Sequence, residues 1–283
     1  GHGWKSARVT VEGVPGLAKT LAVKTLSEVL DLRYKRVQFT PDLLPADLTG
    51  TMIYRPETGE FIPRKGPVFS HLVLADEINR APAKVQSALL EAMEEHQVTI
   101  GSSTYHLPDP FFVLATQNPI EQEGTYRLPE AQLDRFLFKI NVTYPSLDEE
   151  IQILESKHEQ KRQSEEDLVT TLLSAEQIAG NHNTIREIIV EKNLLKYIAA
   201  IVDNTRTNAN LYLGASPRAS IAILDASKAL AAMQGRDFIT PEDIKKDLLE
   251  SLKQHDLFND KIISIYVQGI LEDRGLYDCK DFL

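Results

Sequence analysis

Cysteine is almost missing from this chain. Cys279 stands alone, so no intramolecular disulfide can form and no cysteine-based zinc site can be built. That suits a reducing compartment, and a cytoplasmic location is the expectation. Long apolar runs are missing too. No stretch approaches the ~20 residues that a bilayer-spanning helix needs, and no secretory leader is visible at the start. Positive charge is scarce: 31 Lys and Arg face 41 Asp and Glu, a formal net charge of −10. Such a balance argues against a stand-alone protein that wraps nucleic acid through a basic face, while leaving room for a small basic loop. Internal repeats and low-complexity segments are absent as well. The rest is ordinary for a globular protein, 42% hydrophobic and 25% charged. The 283 residues suffice for two domains or one large one. The opening "GHGWKSAR" has no clear periodicity. More chain is expected upstream of such a domain, so Gly1 to Lys5 read as a truncation edge, a tag remnant or a gap.

Short β-rich apolar runs recur through the first half, at 8–12, 36–39, 71–75, 111–116 and 136–142. Helical patterns lie between several of them. One, Lys19 to Leu30, places Ala22, Leu26, Val29 and Leu30 on a stripe; another, Ala83 to Glu95, does so with Val85, Leu89, Ala92 and Met93. Strands alternating with helices predict an α/β fold, a parallel sheet flanked by helices. Two inserts interrupt it, at 51–69 with a turn at "PETGE" and at 97–107 with a turn at Gly101-Ser102. Both predict hairpins, and their polar tips predict no core role. From Pro145 onward the pattern is helical. Ser146 with Glu149 and Ser174 with Gln177 form capping boxes, and Ser216-Pro217 and Thr240-Pro241 open further helices. The expected division is an α/β core over 1–145 and a smaller all-α domain over 146–283.

"EGVPGLAKT", Glu12 to Thr20, is one residue short of the phosphate-loop pattern, with Ala18 where a glycine is usual. Strand, loop and helix follow in the required order. Gly13, Val14, Pro15, Gly16, Leu17 and Ala18 would wrap phosphates with backbone N–H groups, Lys19 would reach the β- and γ-phosphates, and Thr20 would hold Mg²⁺. A methyl at Ala18 still lets the backbone point at phosphate, and an ordinary glycine turn stays open as a second reading. "HLVLADE" is an apolar strand ending in Asp76 and Glu77. Asp76 suits Mg²⁺, through water or by way of Thr20, and Glu77 suits deprotonation of the attacking water; a helix-capping acidic pair is the plainer alternative. "FFVLATQNP" offers Asn118 for the lytic water or the γ-phosphate, with Thr116 as second choice; an Asn-Pro turn is equally open. Arg135 in "LPEAQLDRF" can reach a neighbouring subunit's γ-phosphate as an arginine finger, or can pair on the surface with Asp134 or Glu130. Arg218 in "GASPRAS" can sense the γ-phosphate from a lid, or be an exposed helix arginine.

Together "EGVPGLAKT", "LADEINRAPAKVQSALLEAMEEHQVTI", "ATQNPIEQEGTYRLPEAQLDRF" and "GASPRAS" make the chain, from about residue 8 to 283, resemble an AAA+ P-loop ATPase of the MoxR family. The resemblance implies a phosphate loop with Lys19 and Thr20, a Walker B pair at Asp76 and Glu77, sensor 1 at Asn118, the arginine finger at Arg135 and sensor 2 at Arg218. It further implies that Arg80 faces a neighbour's nucleotide, that 51–69 is the helix-2 insert and that 97–107 is the pre-sensor-1 hairpin. Its cofactors would be ATP and Mg²⁺. Its assembly would be a homo-oligomeric ring, a hexamer. Its work would be remodelling or maturation of a protein client, including metal cofactor insertion, with a von Willebrand A domain partner. An Ala at position 18 is a familiar form in that family. Two departures stand out: no recognisable adenine-contacting segment precedes Arg8, and Arg127 stands where proline is common, beside the expected subunit interface. The alternatives are a nucleic-acid translocase or helicase motor, using Arg55, Arg64 and Lys65 around the first hairpin, and a nucleotide-gated scaffold without turnover.

Overall fold

The computed structural model describes residues 8–13, 19–117, 126, 128–142, 144–159, 169–207 and 214–245. Val14 to Ala18, Asn118 and Arg127, all singled out above, lie outside the described residues.

Five strands, β1 (Arg8–Gly13), β2 (Tyr34–Gln38), β5 (Leu72–Asp76), β8 (Phe112–Gln117) and β9 (Phe138–Val142), form one sheet in the order β2-β5-β8-β1-β9. The pairs β2·β5, β5·β8 and β1·β8 are parallel. Each run expected to be a strand meets one, with β2 beginning two residues earlier and β9 two residues later than expected. The central β5 is buried from Leu72 to Ala75, which explains a continuous apolar run where an alternating one would mark a half-exposed strand. Helix α1 (Lys19–Val29) lies beside this sheet, and its buried residues are Val23 and Ser27. That corrects the expected stripe: Ala22 is exposed and Leu26 is 42% exposed. Apolar residues occur on two adjacent faces of this helix, so periodicity could not choose between them. Ser27 tolerates burial because its hydroxyl donates to the Lys24 carbonyl at 2.6 Å. In α3 (Ala83–Glu95) the expected Val85, Leu89, Ala92 and Met93 are all buried, joined by Gln86 and Leu90.

Both inserts are antiparallel hairpins, β3 (Gly50–Arg55) with β4 (Glu60–Lys65) and β6 (Gln97–Ile100) with β7 (Ser103–His106). The five-residue α2 (Pro45–Thr49) leads into the first. Gly101 turns the second with a φ of +64°, the left-handed value that a first turn position of the II′ type needs. Val98 and, directly beside the turn, Ile100 are buried, so the expectation that this tip takes no part in a core gives way there.

Two compact units emerge, one holding Lys5–Gln132 and Ile140–Ile178, the other including Leu133–Lys139 and the chain from Ala179. The first includes α5 (Leu147–Glu159), and the short α4 (Glu130–Leu133) runs up to the division. The second contains α6 (Ala175–Glu187) for most of its length, α7 (Lys192–Thr207) and α8 (Pro217–Met233). Its core gathers Leu194, Tyr197, Ile198, Ile201, Val202, Ile223, Ala231, Ile239 and Ile244. The caps fall where expected. Glu149 accepts from Ser146 N at 2.7 Å, Gln177 accepts from Ser174 N at 2.8 Å, and Ser216 accepts from Arg218 N at 3.1 Å.

At Thr240 the carboxylate of buried Asp243 accepts from the backbone N–H at 2.7 Å and from the hydroxyl at 2.9 Å, and its two oxygens take the Arg236 fork at 2.8 and 2.6 Å. Burial works against the charged carboxylate, but the Arg236 and Thr240 bonds outweigh it and hold Asp243 below the usual carboxylate range. A depressed folded value contributes stability above the unfolded pKa of ~3.9, lost as pH falls through the folded one. Asp243→Asn is therefore expected to cost about 1–3 kcal/mol at pH 7. The gap in thermal midpoint between variant and wild type should narrow below about pH 4; an equal gap at both pH values would reject this account.

Candidate functional site

The parallel strands β1, β5, β8 and β2 all end on one edge of the sheet, where ligands of open α/β folds are held. The register pairs Gln38 with Asp76 and Val11 with Thr116. Residues far apart in sequence are thus brought to one level.

At the end of β1, a Cβ on Gly13 would stand 2.7 Å from the Val142 carbonyl oxygen. The first glycine of the loop is thus required by the backbone of β9, independently of any phosphate. Lys19 begins α1, and its ammonium donates to the Gly13 carbonyl at 2.6 Å. Burial pushes this ammonium below its ordinary range, while the Asp76 and Glu77 carboxylates pull the other way. That mutual influence places the three charges in one neighbourhood. Thr20 follows on the same helical turn.

Asp76 closes β5, and both its oxygens are engaged. Oδ1 accepts the Thr116 hydroxyl at 2.5 Å. Oδ2 accepts from Arg36 Nε at 2.9 Å and from its Nη2 at 2.6 Å. Thr116, 1% exposed, also accepts the Glu77 backbone N–H at 2.8 Å. One buried hydroxyl from β8 therefore fixes both Asp76 and Glu77. It also corrects the second-choice role given to Thr116, whose single O–H is spent on Asp76 rather than aimed at a water.

The chain turns sharply at Glu77, which has φ 55° and ψ 51° and leads into a 3-10 turn over Ile78–Arg80. A left-handed glutamate costs about 1–2 kcal/mol, so the surroundings must hold it. Gln86 helps: its buried amide nitrogen faces the carbonyl oxygens of Ile78, Ala81 and Tyr126 at 3.0–3.1 Å. Tyr126 N in turn donates to Asn79 O at 2.6 Å. The Glu77 carboxylate is held through Oε2, which accepts from Gln38 at 2.8 Å and from Arg80 at 2.9 Å. Gln38 has only one possible orientation. Arg36 can only donate and does so to its oxygen at 2.8 Å, so its NH₂ must face the carboxylate.

Sequence reading missed Arg36, Gln38 and Gln86. β2 was read only as a short β-rich run, and its pairing with β5 depends on a strand order that skips along the chain. In the helical unit, Asp134 accepts from Ser216 Oγ at 2.8 Å and from Arg218 at 3.4 Å. Asp134 is thus engaged by residues of the α8 N-terminus, more than 80 residues away in sequence. Among the described residues no helix is long and apolar enough to cross a membrane.

Comparison with known proteins places this arrangement. A profile described as the ATPase family associated with various cellular activities (AAA) matches residues 8–138, and one described as the AAA lid domain matches residues 203–250. The chaperone MoxR1 of Mycobacterium tuberculosis is 50% identical over 83% of this chain and 64% of its own length. The protein YeaC of Bacillus subtilis is 46% identical over 84% of this chain and 73% of its own. The crystal structure of a candidate ATPase from Cytophaga hutchinsonii superposes with a TM-score of 0.81 at 45% identity, covering 94% of this chain and 84% of that one.

Proposed function

Because the chain belongs to the MoxR family of AAA+ ATPases, we propose that it hydrolyses ATP with Mg²⁺ at the carboxyl edge of its sheet. The observation that carries this reading is the joining of Asp76 and Glu77 through Thr116 at the strand ends, with Lys19 at the start of α1 near enough to feel both carboxylates. Backbone N–H groups from Gly13 to Ala18 cradle the phosphates, Lys19 neutralises the β- and γ-phosphates, and Glu77 takes the proton of the attacking water. Asn118 orients that water. Arg135 of a neighbouring subunit stabilises the charge that develops in transfer, and Arg218 senses the γ-phosphate.

Thr20 and Asp76 offer the hard oxygen donors that Mg²⁺ prefers. They are the residues that would hold the ion, together with the nucleotide's phosphates. The metal supplies charge neutralisation on the phosphate oxygens. A shared site implies a ring, and six subunits is the reading adopted. The name of the mycobacterial relative supports a chaperone-like role, acting on a protein client in complex maturation or metal cofactor insertion, alongside a von Willebrand A domain partner in the cytoplasm.

Lys19→Ala tests the loop. Loss of a charge-assisted phosphate contact is expected to weaken binding of a fluorescent ATP analogue roughly 10- to 100-fold. Unchanged affinity would remove Lys19 from the site.

A further inference from the structure

Arg36 is the cation that this catalytic reading leaves without a task. It lies on β2 two residues before Gln38, the register partner of Asp76. Its Nε and Nη2 both reach Asp76 Oδ2. The two groups that engage Asp76 are unlike in one respect. Thr116 is buried and doubly bonded, so its grip on Oδ1 is fixed. The Arg36 side chain is 48% exposed, beside an Asp76 that is 13% exposed, and it can swing into water at little cost.

A divalent cation at Asp76 requires the same carboxylate charge. Two cations within a few ångströms of one oxygen repel each other, most strongly where solvent is partly excluded. We infer that Arg36 is an exchangeable counter-ion of Asp76, which a divalent cation must displace to bind. The exchange keeps the Asp76 carboxylate compensated throughout, beside the second carboxylate at Glu77, and it sets a threshold on metal loading. A guanidinium suits this use because it holds its charge at any physiological pH and grips a carboxylate through a planar fork. This inference rests on the reading of Asp76 as a metal-binding residue.

The test is a manganese titration of the full chain with ADP, followed by electron paramagnetic resonance, for wild type, Arg36→Ala, Arg36→Gln, Arg80→Ala and Asp76→Asn. Melting curves show that each variant is folded, and Arg36→Gln serves if Arg36→Ala is not. Loss of the Arg36 competitor should tighten manganese binding roughly two- to fivefold, the range of a half-exposed ion pair. Arg80→Ala removes the same charge from Glu77 instead and should tighten it less. Unchanged or weakened binding in the Arg36 variants overturns the exchange, as does equal tightening in Arg80→Ala. Asp76→Asn separates the two levels. If it weakens manganese binding while the Arg36 variants match wild type, only the exchange falls. If it changes nothing, or wild type binds no manganese with ADP, the metal reading of Asp76 falls with it.

Discussion

Replacing Glu77 by Gln is expected to leave ATP binding intact and to lower turnover about 10²- to 10⁴-fold, the worth of a positioned general base. The substitution keeps the shape of the side chain and the backbone it sits on. Thr116 still holds the N–H of residue 77, and Gln86 still braces the turn that follows. A glutamine oxygen can still accept from Gln38 or Arg80, both of which bind Oε2 in the native side chain. Oε1 has no partner among the described contacts and is the oxygen on which a water would be held. What an amide cannot do is take the proton of that water. Phosphate release under steady state, measured beside nucleotide affinity, separates the two effects. Turnover within threefold of wild type would reject Glu77 as the base.

Arg135→Ala is expected to keep nucleotide affinity within about twofold and to cut turnover about 10³-fold or more, the worth of an arginine finger. The plainer explanation for Arg135 is a surface pair with its neighbour Asp134, which also accepts from Ser216 and Arg218; loss of such a pair would leave turnover unchanged. The position of Arg135, in the turn between α4 and β9, follows directly on a residue tied to the start of α8. Mixing gives the decisive comparison. Lys19→Ala subunits and Arg135→Ala subunits are each inactive alone in this reading. Mixed assemblies contain interfaces with an intact Lys19 on one side and an intact Arg135 on the other, so turnover should return. Full activity of Arg135→Ala alone would remove the finger. Silence of a mixture shown to co-assemble would place the residue in its own subunit's site.

Local features of this chain were legible in the sequence and distant ones were not. The capping boxes at Ser146 and Ser174 involve partners three residues apart, and both formed as expected. Asp76 and Glu77 were singled out because an apolar strand ending in two acids is a local pattern, and β5 ends at Asp76 as that pattern predicts. The pairing of α/β core strands was legible as a class, parallel and helix-flanked, though not in its order. That order decides the chemistry around Asp76. Arg36 and Gln38 act there because β2 lies beside β5, 40 residues away along the chain. The α1 face was misread for a different reason. Val23 and Leu26 sit on adjacent stripes of one helix, and only contact with Leu72 and Leu74 on the sheet decides which is buried. Gln86 carried no signal at all, since a glutamine in a helix is usually solvated, whereas here its two N–H donors lie within reach of three carbonyl oxygens.

The left-handed backbone at Glu77 sets conformational ease against chemistry at a single codon. Glycine and asparagine adopt that conformation far more readily than glutamate, and neither can serve as the base. With Glu77 as the proposed base, selection for hydrolysis would therefore oppose a standing bias toward a relaxed but inert chain. In any lineage released from the need for turnover, position 77 should be among the first to drift, and it should drift toward those two residues. Its identity across descendants would then be a record of where hydrolysis has been kept and where only the scaffold has.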